Sequence, residues 1–151
     1  MSDAIQPEST VYAQATGASG PRAGFWQRFG AYLLDILLLL VFEIVVLVIL
    51  HKALGLAYVI VLVGSYAYFT ILEGGPTGQT LGMRALGIRV IDFRAGGPIG
   101  YGRAFLRQIV KIISGAVFFL GYLWMLWDRE KQCWHDKAAN DVVVPIEAYP
   151  V

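Results

Sequence analysis

The sequence has little charge, no marked excess of either sign of charge, and almost no cysteine. Only 15% of its residues are charged, and 12 basic and 11 acidic side chains leave a net charge of +1. Phosphate binding needs a concentrated basic face, so no nucleic-acid partner is expected. Cys133 is the only cysteine, which excludes an intrachain disulfide and any CxxC motif. We therefore expect no metal site and no cofactor.

Apolar side chains are what the sequence has in excess. Hydrophobic residues make up 57% of the chain, and the mean hydropathy is +0.60, above the apolar share of about half that soluble domains have. Nearly all of the charge falls in residues 1–28, 73–111 and 128–147, with long apolar blocks between. This pattern is typical of a protein that lies in a lipid bilayer, which is the first partner we expect.

Two apolar blocks are long enough to cross a bilayer. Asp35 and Glu43 are the only charged side chains in residues 29–50, and residues 53–72 contain no charged side chain. About 20 apolar residues at a rise of 1.5 Å suffice for a hydrocarbon core of ~30 Å. The polar break between the blocks is so short that the two helices must run antiparallel. The sequence therefore predicts a hairpin of two transmembrane helices.

The segments that flank the hairpin are expected to lie outside the membrane. Residues 1–24 are small and polar, too poor in large apolar side chains to offset ordering entropy, and predict a disordered tail. Residues 73–102 form a short Gly-rich connector, in which a brief alternation of apolar residues predicts a short strand or an amphipathic turn. A small hairpin at Gly96-Gly97-Pro98 is the alternative. Residues 146–151 are assigned to a C-terminal tail.

Residues 103–127 begin as an amphipathic helix and end as a third membrane-embedded segment. Basic side chains recur every four residues from Arg103 to Lys111, and 16 uncharged residues follow, slightly short of a full span. Arginines before the hairpin and in the connector place the N-terminus in the cytoplasm. The basic residues of 128–145 favour the same side, whereas a single third span would put that segment outside. We favour a re-entrant segment and leave a spanning one open.

Two carboxylates inside the first helix are the candidate functional residues of the hairpin. A charged side chain at the bilayer centre costs roughly 2.5–3.5 kcal/mol on insertion scales, so Asp35 and Glu43 should face protein or water. Arg28 and Asp35 are seven residues apart, on one helix face about two turns apart. Either acid is a candidate proton or cation site. The alternative is a structural role, with Glu43 neutral and hydrogen bonded to a neighbouring helix.

Three separated motifs resemble one known family. They are GFWQRFGAYLLDILLL, GQTLGMRALGIRVID and QCWHDKAANDVVV, in that order, and the chain from about residue 22 to 145 resembles the RDD family of small bacterial membrane proteins. The resemblance assigns the family's arginine to Arg28 and its two aspartates to Asp35 and Asp136. Met83 stands where a basic residue often occurs, and Asn140-Asp141 replaces a usual Gly-Thr.

The resemblance implies a bacterial cytoplasmic membrane protein with an RDD-like domain over residues 25–145. The function of the family is largely undetermined, with transport of unidentified ligands suggested and sodium/proton exchange proposed for some relatives. One guanidinium binds two carboxylates, so Asp35 and Asp136 are expected to share or compete for Arg28. We expect no enzyme, because the adjacent His135 and Asp136 rarely point together and no nucleophile motif accompanies them.

The sequence thus predicts an all-α membrane protein: two transmembrane helices in a hairpin, a third embedded segment and a Gly-rich cytoplasmic connector. Two functions from different classes fit this fold. The first is transport of ions or small solutes, which three segments could support only as a homo-oligomer, because they enclose little volume. The second is a membrane scaffold or accessory subunit in which Arg28, Asp35 and Asp136 are structural.

Overall fold

The structure is a computed structural model that describes residues 20–149, and its elements are mostly helical. In chain order they are α1 (Phe25–Ile49), α2 (Leu54–Gly74), α3 (Leu81–Ala85), β1 (Ile88–Asp92), α4 (Tyr101–Ala116), α5 (Leu120–Leu123), a 3₁₀ turn (Trp124–Leu126), α6 (Trp134–Ala139) and β2 (Asp141–Pro145).

Helices α1 and α2 are both long and apolar enough to cross a membrane, as predicted. Helix α1 begins four residues before the predicted block, where the side chain of Gln27 accepts a hydrogen bond of 3.0 Å from the Gly24 backbone N–H. The two helices lie close together at Gly64, where a Cβ atom would be only 2.9 Å from the Phe42 ring. Small residues allow such close approach where lipid offers no competing hydrophobic force.

The third apolar segment is bent, and a single straight span is not observed. Helix α4 and the residues from Leu120 to Leu126 are together long and apolar enough for one span, but they meet at an angle of 110°. Phe118 and Phe119 make the bend with φ angles of 51° and 59°, a left-handed conformation that bulky residues rarely adopt. This local geometry ends α4 and reverses the direction of the chain.

A two-stranded antiparallel sheet corrects the all-α prediction. Strand β1 pairs with β2 in a register that places Ile88 opposite Pro145 and Asp92 opposite Asp141. The predicted short strand is thus present, but its partner comes from the C-terminal segment and not from a local hairpin at Gly96-Gly97-Pro98. The strands are buried and form the core outside the hairpin, together with apolar residues from α1 and α4.

The two ends of the described chain meet beside this sheet. The backbone N–H of Ala23 donates to the carbonyl of Val143 at 2.9 Å, and Arg22 forms an ion pair of 2.7 Å with Glu130. Residues 1–19 of the predicted tail (residues 1–24) lie outside the described residues. Arg22 and Ala23 of this predicted tail instead contact the C-terminal segment. Tyr149, in the predicted C-terminal tail, is buried.

At Gly82 the connector packs directly against the backbone of helix α1. A Cβ atom there would lie 2.0 Å from the carbonyl oxygen of Ala31, which is backbone and cannot move aside cheaply. We expect Gly82→Ala to lower the free energy of unfolding by roughly 1–3 kcal/mol, the usual effect of overpacking. The measurement is thermal unfolding of the purified protein in detergent.

The matched control for this substitution is Gly102→Ala, because a Cβ atom at position 102 would meet nothing within 4 Å. Alanine has a higher helix propensity than glycine, so this change in α4 should be neutral or slightly stabilising. Equal melting temperatures for the two variants would contradict the close approach of α3 to α1.

Candidate functional site

The centre of the candidate site is the guanidinium of Arg107, which lies in the interior at the end of the hairpin. Arg107 is only 1% exposed. Its Nε donates to Glu73 Oε2 at 2.9 Å, and its Nη1 donates to Asp136 Oδ1 at 2.5 Å and also to Asp141 Oδ1. The three acids belong to α2, α6 and β2. One cation of α4 therefore joins three separate parts of the fold.

Further ion pairs extend this network to α1 and along α4. Arg28 Nη2 donates to the second oxygen of Asp136 at 2.5 Å, and its Nη1 donates to a backbone carbonyl at 2.9 Å. Lys111 binds Glu73 Oε1 at 2.7 Å, and Gln108 binds Glu73 Oε2 at 2.9 Å. The structure thus pairs Arg28 with Asp136, two of the three residues that the resemblance assigned.

Asp35 is not bound to Arg28, which corrects the expectation that Asp35 and Asp136 share one guanidinium. Its Oδ1 accepts from the Tyr68 hydroxyl at 2.7 Å and from the Gly82 backbone N–H at 2.8 Å, and its Oδ2 accepts from the Thr80 hydroxyl at 2.6 Å. Asp35 is 1% exposed. Three neutral donors, two of them from the connector, therefore stabilise the carboxylate in the place of an ion pair.

Glu43 lies apart from this network. It is half-buried in the middle of α1, and no hydrogen bond or ion pair joins it to another side chain in the part of the chain described, residues 20–149. The two acids proposed for a proton or cation site therefore differ. Asp35 is fixed by the connector, and Glu43 has no polar partner among residues 20–149.

A cavity of about 260 Å³ opens beside the charge network, between α1, α2, α4 and α5. Asp35, Glu73, Arg107 and Lys111 contribute to its polar side. Six aromatic side chains also line the cavity: Phe25, Phe29, Tyr32, Phe69, Phe119 and Tyr122. Mainly apolar walls with a few convergent polar groups are typical of small-ligand sites.

Two acids of the network have pKa values that are displaced in opposite directions. Burial alone would raise the pKa of Asp136, but the guanidinium of Arg28, with His135 and Arg107, holds it well below its ordinary value. Burial raises the pKa of Asp141 to about 8 against the attraction of Arg107, and the nearby Asp136 adds to this rise. The network therefore contains one acid that stays ionised and one that titrates near neutral pH.

Cys133, His135 and Asp136 bring donor atoms within 4.8 Å of one another, the spacing of a metal site. Both oxygens of Asp136 already accept from guanidinium groups. Burial raises the pKa of Cys133 to about 11, which disfavours the thiolate that binds metals. The positive charges of Arg28 and Arg107 repel a further cation. These residues do not fit a metal ion.

The sequence patterns did not reveal the residues that hold the network together. Arg107 and Lys111 were assigned to the polar face of an amphipathic helix, and Glu73 to the first position of the connector. The four-residue spacing of the basic side chains was a usable signal, because it places them on one face. Glu73 follows 20 uncharged residues at the end of the second span, which suits a partner for them. Asp141 was noted only as a departure from the family pattern.

The fold and this site define a class: a helical membrane protein whose two apolar helices are joined at one end by a buried ion-pair network. The chain belongs to the RDD family, whose model matches residues 22–140. This match confirms the resemblance noted from the motifs.

Relatives of this chain occur in mycobacteria and in Bacillus subtilis. The proline-rich antigen homolog of Mycobacterium tuberculosis is 37% identical over 92 residues, which are 61% of this chain and 35% of that protein. The chain thus spans about a third of the mycobacterial relatives. The uncharacterized membrane protein YteJ of Bacillus subtilis is 30% identical over 84% of this chain and 83% of its own. No solved structure matches significantly.

Replacement of Arg107 tests whether it is the central residue of the network. Arg107→Met keeps much of the length of the side chain but removes the cation that contacts three buried acids. Breaking one side of a buried ion pair typically costs about 3–5 kcal/mol, because the remaining charge is uncompensated. We expect a loss of this size in thermal unfolding experiments, or failure to fold.

The control is Arg103→Met on the same helix, since Arg103 pairs with Asp92 and its side chain is 36% exposed. An ion pair in contact with water contributes about 1 kcal/mol or less. Equal destabilisation by the two substitutions would contradict the special position of Arg107.

The displaced pKa of Asp141 predicts how stability depends on pH. The folded protein holds this proton up to about pH 8, whereas the unfolded chain releases it near 3.8. The contribution of Asp141 to stability therefore falls as the pH rises from about 4 to about 8, because its folded form binds more protons in that range. Asp141→Asn should remove this contribution from the pH dependence of the melting temperature. If the pH dependence of the melting temperature is the same in the wild type and the variant, a group other than Asp141 causes it.

Proposed function

We propose that this protein is a multi-pass protein of the bacterial cytoplasmic membrane that moves ions or small solutes, by cation/proton exchange, as a homo-oligomer. The observation that carries the proposal is the aromatic cavity with Asp35, Glu73 and Lys111 in its wall. Ionisable groups near a bilayer are energetically expensive, and in membrane proteins they commonly mark ion pathways and proton relays. A cavity that is lined by several ionisable groups, at the end of two apolar helices, is suited to bind the transported ion or solute.

Contacts at the end of the hairpin support a cytoplasmic N-terminus and a re-entrant third segment. Arg28 precedes the hairpin and binds Asp136, which follows the third segment. The antiparallel hairpin returns the chain to the side on which it started. A third segment that crossed the bilayer would separate Arg28 from Asp136, so the proposed segment enters and leaves on one side. The basic residues gathered there favour the cytoplasm.

Glu43 supports the homo-oligomer. It lies in the middle of α1 without a polar partner among the described residues, and an isolated acid at that depth is costly. In the proposed assembly a second copy supplies the partner of Glu43. The same assembly supplies the remaining walls of a pathway, which two apolar helices alone cannot enclose.

A second candidate is a scaffold or accessory subunit that transports nothing. It is favoured by the use of all three signature residues as connections within the fold. Arg28 and Asp136 join the C-terminal segment to α1, and Asp35 holds the connector through Thr80 and Gly82. In this reading the cavity is a packing feature and the charges serve folding alone.

Asp35→Asn separates the two functions, because an asparagine can retain all three hydrogen bonds. Its amide oxygen can accept from Tyr68 and Gly82, and its amide nitrogen can donate to the Thr80 oxygen, whose hydroxyl can rotate. Only the charge is lost. The transport proposal predicts that Asp35→Asn folds and unfolds like the wild type but loses most of its cation-dependent proton flux. Glu43→Gln should behave in the same way.

The measurement uses the full chain in liposomes with an internal pH dye, to which sodium or potassium is added. Glu147→Gln is the matched control, since Glu147 is an exposed acid outside the hairpin. Flux in the wild type and in Glu147→Gln, but not in the folded Asp35 variant, would support transport. Absence of flux in the wild type, with a lower melting temperature in Asp35→Asn, would support the scaffold.

A further inference from the structure

Asp141 is the least satisfied acid of the buried network. Its Oδ1 accepts from Arg107, whereas its Oδ2 is buried and has no hydrogen-bond partner among residues 20–149. The residue is 0% exposed, so water does not reach it from the surface. An ionised carboxylate with one bare oxygen in such surroundings pays a large desolvation penalty. A proton on that oxygen removes the charge and most of the penalty.

A second carboxylate contacts the same nitrogen atom. Arg107 Nη1 lies 2.5 Å from Asp136 Oδ1 and also within hydrogen-bond distance of Asp141 Oδ1. Two carboxylates that converge on one group repel each other, and such pairs characteristically hold one proton between them. Asp136 has a second cation, Arg28, and a backbone N–H to stabilise its charge. The proton therefore belongs on Asp141.

The surroundings of Asp141 contain charges that respond to this proton. Three cations, Arg28, Arg107 and Lys111, are matched by three acids, Glu73, Asp136 and Asp141. The charged or titratable groups around Asp141, reached directly or through Arg107 and Asp136, are Glu73 of α2, Arg103, Arg107 and Lys111 of α4, Cys133, His135 and Asp136 at α6, Asp92 of β1 and Arg28 of α1.

We propose that Asp141 is a proton-binding site behind the cavity, where one exchangeable proton is held by the Asp141 carboxyl group beside Asp136 and Arg107. The reaction is the reversible addition of a proton from water to a carboxylate, and no other bond changes. Arg107 both binds Asp141 and lines the cavity. Protonation leaves its charge less compensated, so the wall of the cavity becomes more positive by one charge.

This inference deepens the proposed function, on which its role in flux depends, by naming the residue that carries the exchanged proton. A cation in the cavity is disfavoured while Asp141 is protonated and favoured after the proton has left. Binding of the two ions is then mutually exclusive, which is the requirement for exchange. The existence of the site does not depend on transport and can be tested without it.

The test is infrared spectroscopy of the full chain in lipid nanodiscs, followed through the C=O stretch of protonated carboxylic acids. The sample is titrated from about pH 5 to about pH 10, a range in which ordinary Asp and Glu side chains stay ionised. We expect one carboxylic acid band that disappears with a midpoint near pH 8 in the wild type. The band should be absent in Asp141→Asn, which keeps an acceptor for Arg107.

Asp128→Asn is the matched control, because Asp128 is a partly buried acid paired with Lys137 at the surface of the same segment. It should leave the band unchanged. Asp141→Thr, which restores the usual family residue, should abolish the band and provides a second variant should the asparagine fail to fold. A carboxylic acid band that titrates with the same midpoint in a folded Asp141 variant, or no titrating band in the wild type, would overturn the proposal.

Flux measurements on the same samples distinguish this inference from the proposed function. A band that titrates at Asp141 in a protein without flux would leave the proton site standing and overturn transport. Flux without a titrating band would retain transport and overturn the proton site. When both are present, Asp141→Asn should abolish the dependence of sodium flux on the proton gradient while the protein remains folded.

Discussion

The fold depends on one constraint: the guanidinium of Arg107 is buried, and a buried cation must be matched by acids. Those acids come from the end of α2, from α6 and from β2, which lie 29 to 34 residues away in sequence. The face of α4 that carries Arg107 can be buried only when these acids are in place to match its charge. Because Asp136 also binds Arg28, the start of the hairpin is tied to the same point. The network therefore specifies an arrangement that apolar packing against lipid would leave undetermined.

The features that could be predicted from the sequence alone are those that a strong physical constraint imposes. A bilayer accepts only long apolar helices with satisfied backbones, so the hairpin followed from length and hydropathy. The hydrogen-bond partners of Asp35 did not follow from length or hydropathy. Helix geometry places Arg28 about two turns away, or roughly 10.5 Å along the axis, and the nearer donors belong to a connector whose path no local pattern specifies. Thr80 and Gly82 meet Asp35 only because Gly82 lacks a side chain.

The sheet and the network share a reason for being missed. Strand β1 was visible as an alternation, but a strand needs a partner, and β2 lies about fifty residues further along the chain. Arg107 likewise looked like a solvated residue, because its spacing from Arg103 and Lys111 fits an ordinary polar face. Arg103 does lie partly in water, whereas Arg107 is 1% exposed. The periodicity of the sequence identifies the polar face of a helix. Only tertiary contacts show whether that face meets solvent or acidic side chains.

The distribution of satisfied and unsatisfied atoms separates structure from function within one network. Asp136, whose two oxygens both accept from guanidinium groups, holds the fold and has little reason to change state. A change of protonation is better sought where the bonding is incomplete. Among the described residues, the incompletely bonded atoms of the network include Asp141 Oδ2 and Nδ1 of His135, a residue that lines the cavity. Arg28 and Asp136 of the family signature thus hold in place a network whose incompletely bonded atoms lie beside them.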